Sequence, residues 1–427
     1  MSEISIGNVE FLIKSTIERC PNTMMLRELV KNAIEAAENT KNKKIRIFST
    51  KLDGYEKKLS IWNTGRGMTA SELRNACNLA QSYRKTNSLD ENFGMGAKVA
   101  SLSVNKEGIR FRSCHNGKVH EVVMGLGEDK LGNEKYMRFD YDEVTGTEYK
   151  DVADVTHIIK KQDKSLLGED WTEVVLFGNE KKQNTLRDPF NNNPNVPKAW
   201  IADSLYHRFY RLDNELKIIL EDGTQAKGGN RNFNTYPEVL KNANKKFPDK
   251  VKYETVSIND EIKIHYSYDA PNLNNQHNHT YNFTSSSDVS FSGVIFKDEI
   301  YDFRKTNKWY STAPSIGIPF GSKHISILVE LDDKANVVPE GYREELRWDD
   351  QEKRKVVIEQ FADEIIENIP LWLKNLIESH SPKPTTSDDI KEQLKKLIES
   401  LNLIENKNLQ KKDGPISGEI NENKILV

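Results

Sequence analysis

The stretch Arg27-Glu28-Leu29-Val30-Lys31-Asn32-Ala33-Ile34-Glu35-Ala36-Ala37 constrains this chain more than any other. It is made of helix formers, and in a helix Glu28 and Asn32, four residues apart, share a face. Leu29, Ala33 and Ala36, with Val30 and Ile34 beside them, give an apolar flank, so the polar pair stands at the edge of a core. A carboxylate and a carboxamide pointing into one space suit a general base beside a metal ligand. Taken alone, such a pair is more often a solvated helix face.

Three later segments bear on that choice. Residues 59–68, Leu-Ser-Ile-Trp-Asn-Thr-Gly-Arg-Gly-Met, read as a short apolar strand running into a turn with glycines at 65 and 67. Residues 92–98, Asn-Phe-Gly-Met-Gly-Ala-Lys, precede a helix-like run, Val99-Ala100-Ser101-Leu102. Residues 171–176, Trp-Thr-Glu-Val-Val-Leu, make a β-branched strand carrying Thr172. In this order and at these distances the four segments resemble the nucleotide-binding motifs of the GHKL superfamily. That group includes gyrase-type topoisomerase subunits, the ninety-kilodalton heat-shock chaperones, histidine kinases, and the MutL and MORC proteins. The resemblance runs from residue 1 to about residue 180. It implies a Bergerat-type α/β (α+β) sandwich with a mixed, mostly antiparallel sheet, binding ATP with Mg2+.

Residue by residue, the resemblance implies that Glu28 polarises the attacking water and Asn32 holds magnesium. Asn63 stands where the family usually has an aspartate that accepts from the adenine amino group; asparagine keeps the acceptor and loses the charge. Gly65 and Gly67 let the backbone turn tightly beside the base, and Met68 packs on its face. The polar run 78–93 reads as a lid. At its end Gly94, Met95, Gly96, Ala97 and Lys98 present bare N–H groups and a cation to phosphate. Thr172 matches a threonine that helps to hold the adenine, or is an ordinary strand residue.

Composition sets the outer limits. The 427 residues, 36% hydrophobic, suffice for two or three domains. No apolar run approaches the roughly 20 residues that span a bilayer. The start, Met-Ser-Glu-Ile-Ser-Ile, lacks a basic region ahead of an apolar one, which places the protein in the cytoplasm. Cys20, Cys77 and Cys114, odd in number and widely spaced, read as reduced, buried thiols. With 62 basic against 65 acidic side chains, charge neither supports nor excludes DNA.

Residues 1–20 carry an apolar arm (Ile4, Ile6, Val9, Phe11, Leu12, Ile13) that packs on its own domain or exchanges with a partner. Strands are expected at 45–50 and 58–62 across an Asp53-Gly54 turn, and a hairpin at 109–124 around Asn116-Gly117. The breaker-rich run 188–197 closes an ATP-binding domain at 1–190. A helix at 198–212 and strands near 215–221, 261–268, 289–296 and 324–331 follow in a second domain, 198–350, where Phe291 to Ile300 resembles the S5-like transducer of MORC and MutL proteins. The closing run 336–348 resembles the family's γ-phosphate loop, with Arg343 at the lysine's position; a salt bridge to Glu344 or Glu345 is the other reading. His277 and His279 have no third ligand nearby and read as a polar loop. A helical segment at 351–410 includes a long helix broken at Pro370 and an apolar stripe at Ile390, Leu394, Leu397, Ile398 and Leu401, ahead of a flexible tail at 411–427.

The sum is an ATP-hydrolysing switch or clamp, MORC-like or MutL-like, that forms a homodimer on Mg-ATP and acts on DNA or a partner protein such as an effector, without a membrane. A nucleotide-gated scaffold with negligible turnover is the alternative. Histidine kinase fits less well, because no phosphoacceptor helix precedes the site and a transducer-like segment follows it.

Overall fold

Two helices open the chain, each for a local reason. Asn8 accepts from the Phe11 N–H at 2.9 Å and so caps α1 (Val9–Arg19), which makes part of the expected arm helical. Helix α2 (Met24–Ala37) follows, with Leu29, Val30 and Ala33 buried as its spacing predicts. This computed structural model describes residues 8–79, 96–143, 145–191, 196–197, 199–225, 228–272, 277–282 and 290–381. Gly94, Met95, most of the expected lid, the C-terminal stripe and the tail lie outside them.

Behind α2 stands a nine-stranded sheet: β1 (Lys44–Thr50), β2 (Lys58–Thr64), β3 (Ile109–His115), β4 (Lys118–Glu128), β5 (Glu134–Arg138), β6 (Ala153–Asp154), β7 (Trp171–Leu176), β8 (Lys217–Leu220) and β9 (Arg231–Asn232). The order is β5-β4-β3-β7-β2-β1-β8-β9, with β6 beside β4. Every pair in it is antiparallel except β1 with β8. Asn116 and Gly117, at φ 51° and 74°, make the expected tight turn between β3 and β4. Because β8 joins this sheet, the sheet draws on residues from both sides of the 188–197 run.

Four further helices flank the sheet: α3 (Ala70–Ala76), α4 (Gly96–Leu102), α5 (Thr156–Gln162) and α6 (Trp200–Tyr206). One core joins Met25, Leu29 and Val30 of α2, Leu73, Val99 and Leu205 to the inward residues Ile45, Ile47, Leu59 and Ile61. The opposite face of the sheet buries Trp62, Val119 and Trp171 against Ile159 of α5.

A second sheet, β10-β11-β16-β14-β15, is made of β10 (Val251–Ser257), β11 (Ile262–Asp269), β14 (Phe291–Phe296), β15 (Glu299–Lys305) and β16 (Ile325–Leu331). Helix α7 (Tyr236–Lys246) packs Tyr236, Val239 and Leu240 on Phe291 and Ile295. Two short ladders complete the strands: β12 (Pro271–Asn272) with β13 (His277–Asn278), and β17 (Val337–Pro339) with β18 (Leu346–Trp348). Then α8 (Thr306–Thr312), α9 (Ala362–Glu367) and α10 (Leu371–Ser379) complete the α-helices among the described residues. The architecture is therefore mixed α/β with mostly antiparallel sheets, as the sequence predicts.

Two expectations fail, the first being the helix at 198–212, which stops at Tyr206. The helix predicted from 351 begins only near Ile358, because Lys353 is left-handed (φ 48°) and Lys355 bridges Arg347, which holds the segment against β18. The break at Pro370 is present, between α9 and α10. The ring Nδ1 of His279 lies 2.8 Å from the Ala270 carbonyl. All three cysteines are buried and unbridged. No described helix is long and apolar enough to cross a membrane. The described residues through Asn375 belong to one compact unit.

Candidate active site

Strand register assembles the site floor. Directly paired residues of an antiparallel sheet point to the same side, and Ile45 pairs with Asn63, Asn63 with Thr172, and Thr172 with Ser113. Ile45 belongs to the core under α2, so Asn63, Thr172 and Ser113 form a polar row on the helix side of the sheet. Thr172 and Ser113 share a hydroxyl hydrogen bond of 2.9 Å. Asn63 is buried, and its Nδ2 donates to the Thr64 carbonyl at 2.9 Å, which orients the side chain. The row continues to His120, paired with Ser113; burial pushes its imidazole below the ordinary histidine value.

Glycines bring the backbone close to this row. A Cβ on Gly65 would stand 3.2 Å from the Ala36 carbonyl of α2 and 3.3 Å from Asn63 Nδ2. Gly67 is left-handed (φ 66°), and a Cβ there would fall 1.8 Å from the Cys114 carbonyl oxygen. Met68 follows, half-buried against the first core.

Helix α2 supplies the polar pair above. Glu28 is buried at 3% exposure and is hydrogen-bonded by a terminal nitrogen of Arg27, whereas Asn32, one turn on, is exposed. Helix α4 starts at Gly96, with Ala97 and Lys98 buried. The Lys98 ammonium donates to the carbonyls of Ala76, at 2.8 Å, and Asn78. It therefore docks on the end of α3, and burial lowers it to about 8. Those carbonyls engage two of its three N–H donors.

The loop between β17 and β18 packs on the first core through Tyr342. Within it Arg343 is left-handed (φ 57°), with its N–H on the Glu340 carbonyl at 2.8 Å. Burial first, then the charges of Glu28, Glu344 and Glu340, push the Cys20 thiol up to about 12. Glu345 pairs with Arg347 at 2.7 Å and Lys355 at 3.1 Å.

Sequence reasoning missed a buried ion cluster beside Glu28. Arg27 donates to Glu299 at 2.8 and 2.5 Å, and Arg208 donates to the same carboxylate at 2.8 Å. Burial alone would raise the Glu299 carboxyl, but Arg208 and Arg27 outweigh it and hold it down at about 2. No local pattern marks this set, because Arg27 reads as an ordinary helix residue. Ser113 joins the row only through the β3–β7 pairing, which sets it in register with Thr172.

These residues fit an adenine nucleotide with magnesium. The floor offers a buried carboxamide and two hydroxyls beside a close backbone turn, and Asn32 offers a single hard oxygen, suited to an ion that keeps waters and phosphate oxygens as its other ligands.

Comparison with known proteins points the same way. Residues 22–157 match the family model described as histidine kinase-, DNA gyrase B-, and HSP90-like ATPase. No curated protein matches. Among solved structures, the B-subunit of the DNA gyrase from Myxococcus xanthus is 9% identical with a TM-score of 0.36, covering 84% of this chain and 90% of that one. The ATPase region of Saccharomyces cerevisiae topoisomerase II is 11% identical with a TM-score of 0.39, covering 84% and 85%. Those two likenesses are too remote to carry an argument. The family match spans α2, the glycine turn and α4, and residues 22–157 are thus similar to the histidine kinase-, DNA gyrase B- and HSP90-like ATPases.

Proposed function

We propose that the chain binds Mg-ATP, hydrolyses it, and uses it as a switch or clamp that closes into a homodimer and acts on DNA or a partner protein. The observation that carries the reading is the placement of the β17–β18 loop, where Tyr342 packs on the first core and the Arg343 carbonyl accepts from Arg208, which also grips the Glu299 carboxylate that Arg27 links to Glu28. A loop so placed joins the second sheet to the carboxylate proposed to do the chemistry.

In this reading Asn63 accepts from the adenine amino group, Thr172 supports it, and Gly65, Gly67 and Met68 shape the space around the base. Glu28 takes a proton from the attacking water. Asn32 offers its amide oxygen to magnesium, which when bound neutralises phosphate charge. Gly94 to Lys98 and Arg343 counter the phosphates from the lid and loop sides. The first sheet, with β8 and β9 counted in it, is the nucleotide-binding part. The second sheet is the transducer, and the helical segment and tail follow it. We place the protein in the cytoplasm, in keeping with its three unbridged thiols.

A ligand shifts a two-state equilibrium only through its differential affinity for the states, so closure needs a contact made with the γ-phosphate alone. Arg343 is that contact. The test is light scattering with ADP and with a non-hydrolysable ATP analogue. The wild type gains mass only with the analogue, whereas Arg343→Ala binds ADP normally and stays monomeric with both. A wild type of equal mass with both nucleotides contradicts the clamp.

A further inference from the structure

We infer that Glu299 is a positioning residue for hydrolysis, acting on Glu28 through Arg27. The inference rests on the reading of Glu28 as the base.

All three nitrogens of the Arg27 guanidinium are engaged. Nε and one terminal nitrogen grip the two oxygens of Glu299, and the other terminal nitrogen meets Glu28. A guanidinium is planar and rigid, so a carboxylate that holds two of its nitrogens dictates where the third one points. The Glu28 carboxylate is therefore held through a fork that Glu299 sets. Arg27, Glu28 and Glu299 are each at most 4% exposed, and no bulk water screens the arrangement.

Glu299 is itself firmly placed. It opens β15 directly after Lys297 and Asp298, both left-handed (φ 49° and 62°), which make the two-residue turn of the β14–β15 hairpin. The Asp298 carbonyl accepts from Tyr210 N–H at 2.8 Å, and Ile300 N–H donates to the Arg208 carbonyl at 2.8 Å, so the hairpin is strapped to the segment after α6. Arg208 grips Glu299 with Nε and, with a terminal nitrogen, the carbonyl of Arg343 at 2.8 Å. A shift of the loop at Arg343 thus has a continuous buried route, through Arg208, Glu299 and Arg27, to Glu28.

The test is a double-mutant cycle read on turnover. Glu299→Gln should lower kcat about tenfold or more while leaving KM for ATP and the affinity for ADP within about twofold. In an Arg27→Gln background the same change should alter kcat by less than about twofold, because the residue through which Glu299 acts is gone. Equal fold-losses in both backgrounds, an unchanged kcat, or a loss shared by ADP binding overturn the inference. If Glu299→Gln does not fold, Glu299→Asp keeps the buried charge while withdrawing it from the fork, and it is judged by the same cycle. Glu28→Ala serves as the reference: turnover like the wild type overturns the base reading and this inference with it. An inactive Glu28→Ala beside an additive cycle overturns this inference alone.

Discussion

Asn63→Asp restores the side chain that related nucleotide-binding proteins usually carry, and the structure gives it two opposing consequences. Asn63 is buried, and its Nδ2 donates to the Thr64 carbonyl at 2.9 Å. Aspartate puts an oxygen there, turning a hydrogen bond into a contact between two acceptors. Leaving a buried acceptor unpaired costs about 1–3 kcal/mol, so the nucleotide-free protein should lose stability by that amount. The other oxygen acts in the opposite sense once adenine binds. A hydrogen bond to a charged group contributes about 1.5–3 kcal/mol against about 0.5–1.5 for a neutral one, a gain of roughly 1 kcal/mol. At 1.4 kcal/mol per factor of ten, that tightens ATP about fivefold. Guanine offers a carbonyl where adenine offers an amino group, so GTP should weaken and the preference for ATP should widen. Calorimetric titration with both nucleotides, beside thermal melting with and without them, reads all three effects. A variant that binds ATP less tightly while its free form melts like the wild type would refute the reasoning, since Asn63 would then not face the base.

Gly67→Ala should lose about 3 kcal/mol or more, because the left-handed backbone disfavours a Cβ and that atom would sit 1.8 Å from the Cys114 carbonyl oxygen; chemical denaturation measures it, and wild-type stability contradicts the turn geometry. Lys98 has a folded-state value of about 8 against 10.5 ordinarily, so between those values the unfolded chain binds more protons and stability rises with pH. Lys98→Met should reduce that rise in denaturation series from pH 7 to 10.5, and an unchanged slope contradicts the burial of the ammonium.

What was legible in the sequence is what short-range chemistry decides. The apolar flank of α2 falls on one face, Asn116-Gly117 can make only a tight turn, and the 59–68 strand ends at glycines that the fold uses for close approach. Thr172 was readable as a strand residue, but its place beside Asn63 depends on β7 inserting between β2 and β3, a pairing no local pattern encodes. The parallel partnership of β1 with β8 is hidden for the same reason. Arg27 is the sharpest case. It is 272 residues from Glu299, and nothing around either one announces that three charges meet there. Lys98, by contrast, was identified by its position after two glycines, yet its ammonium rests on carbonyls supplied by α3 and the residues after it.

The central claim is that Glu28 activates water for hydrolysis of a bound adenine nucleotide. Its most direct test is steady-state release of phosphate from Mg-ATP by the wild type and by Glu28→Ala, with ADP affinity measured on both. The account predicts slow turnover by the wild type and turnover abolished in the variant, with ADP binding retained. Wild-type turnover in Glu28→Ala, or a wild type that binds no adenine nucleotide, would contradict it.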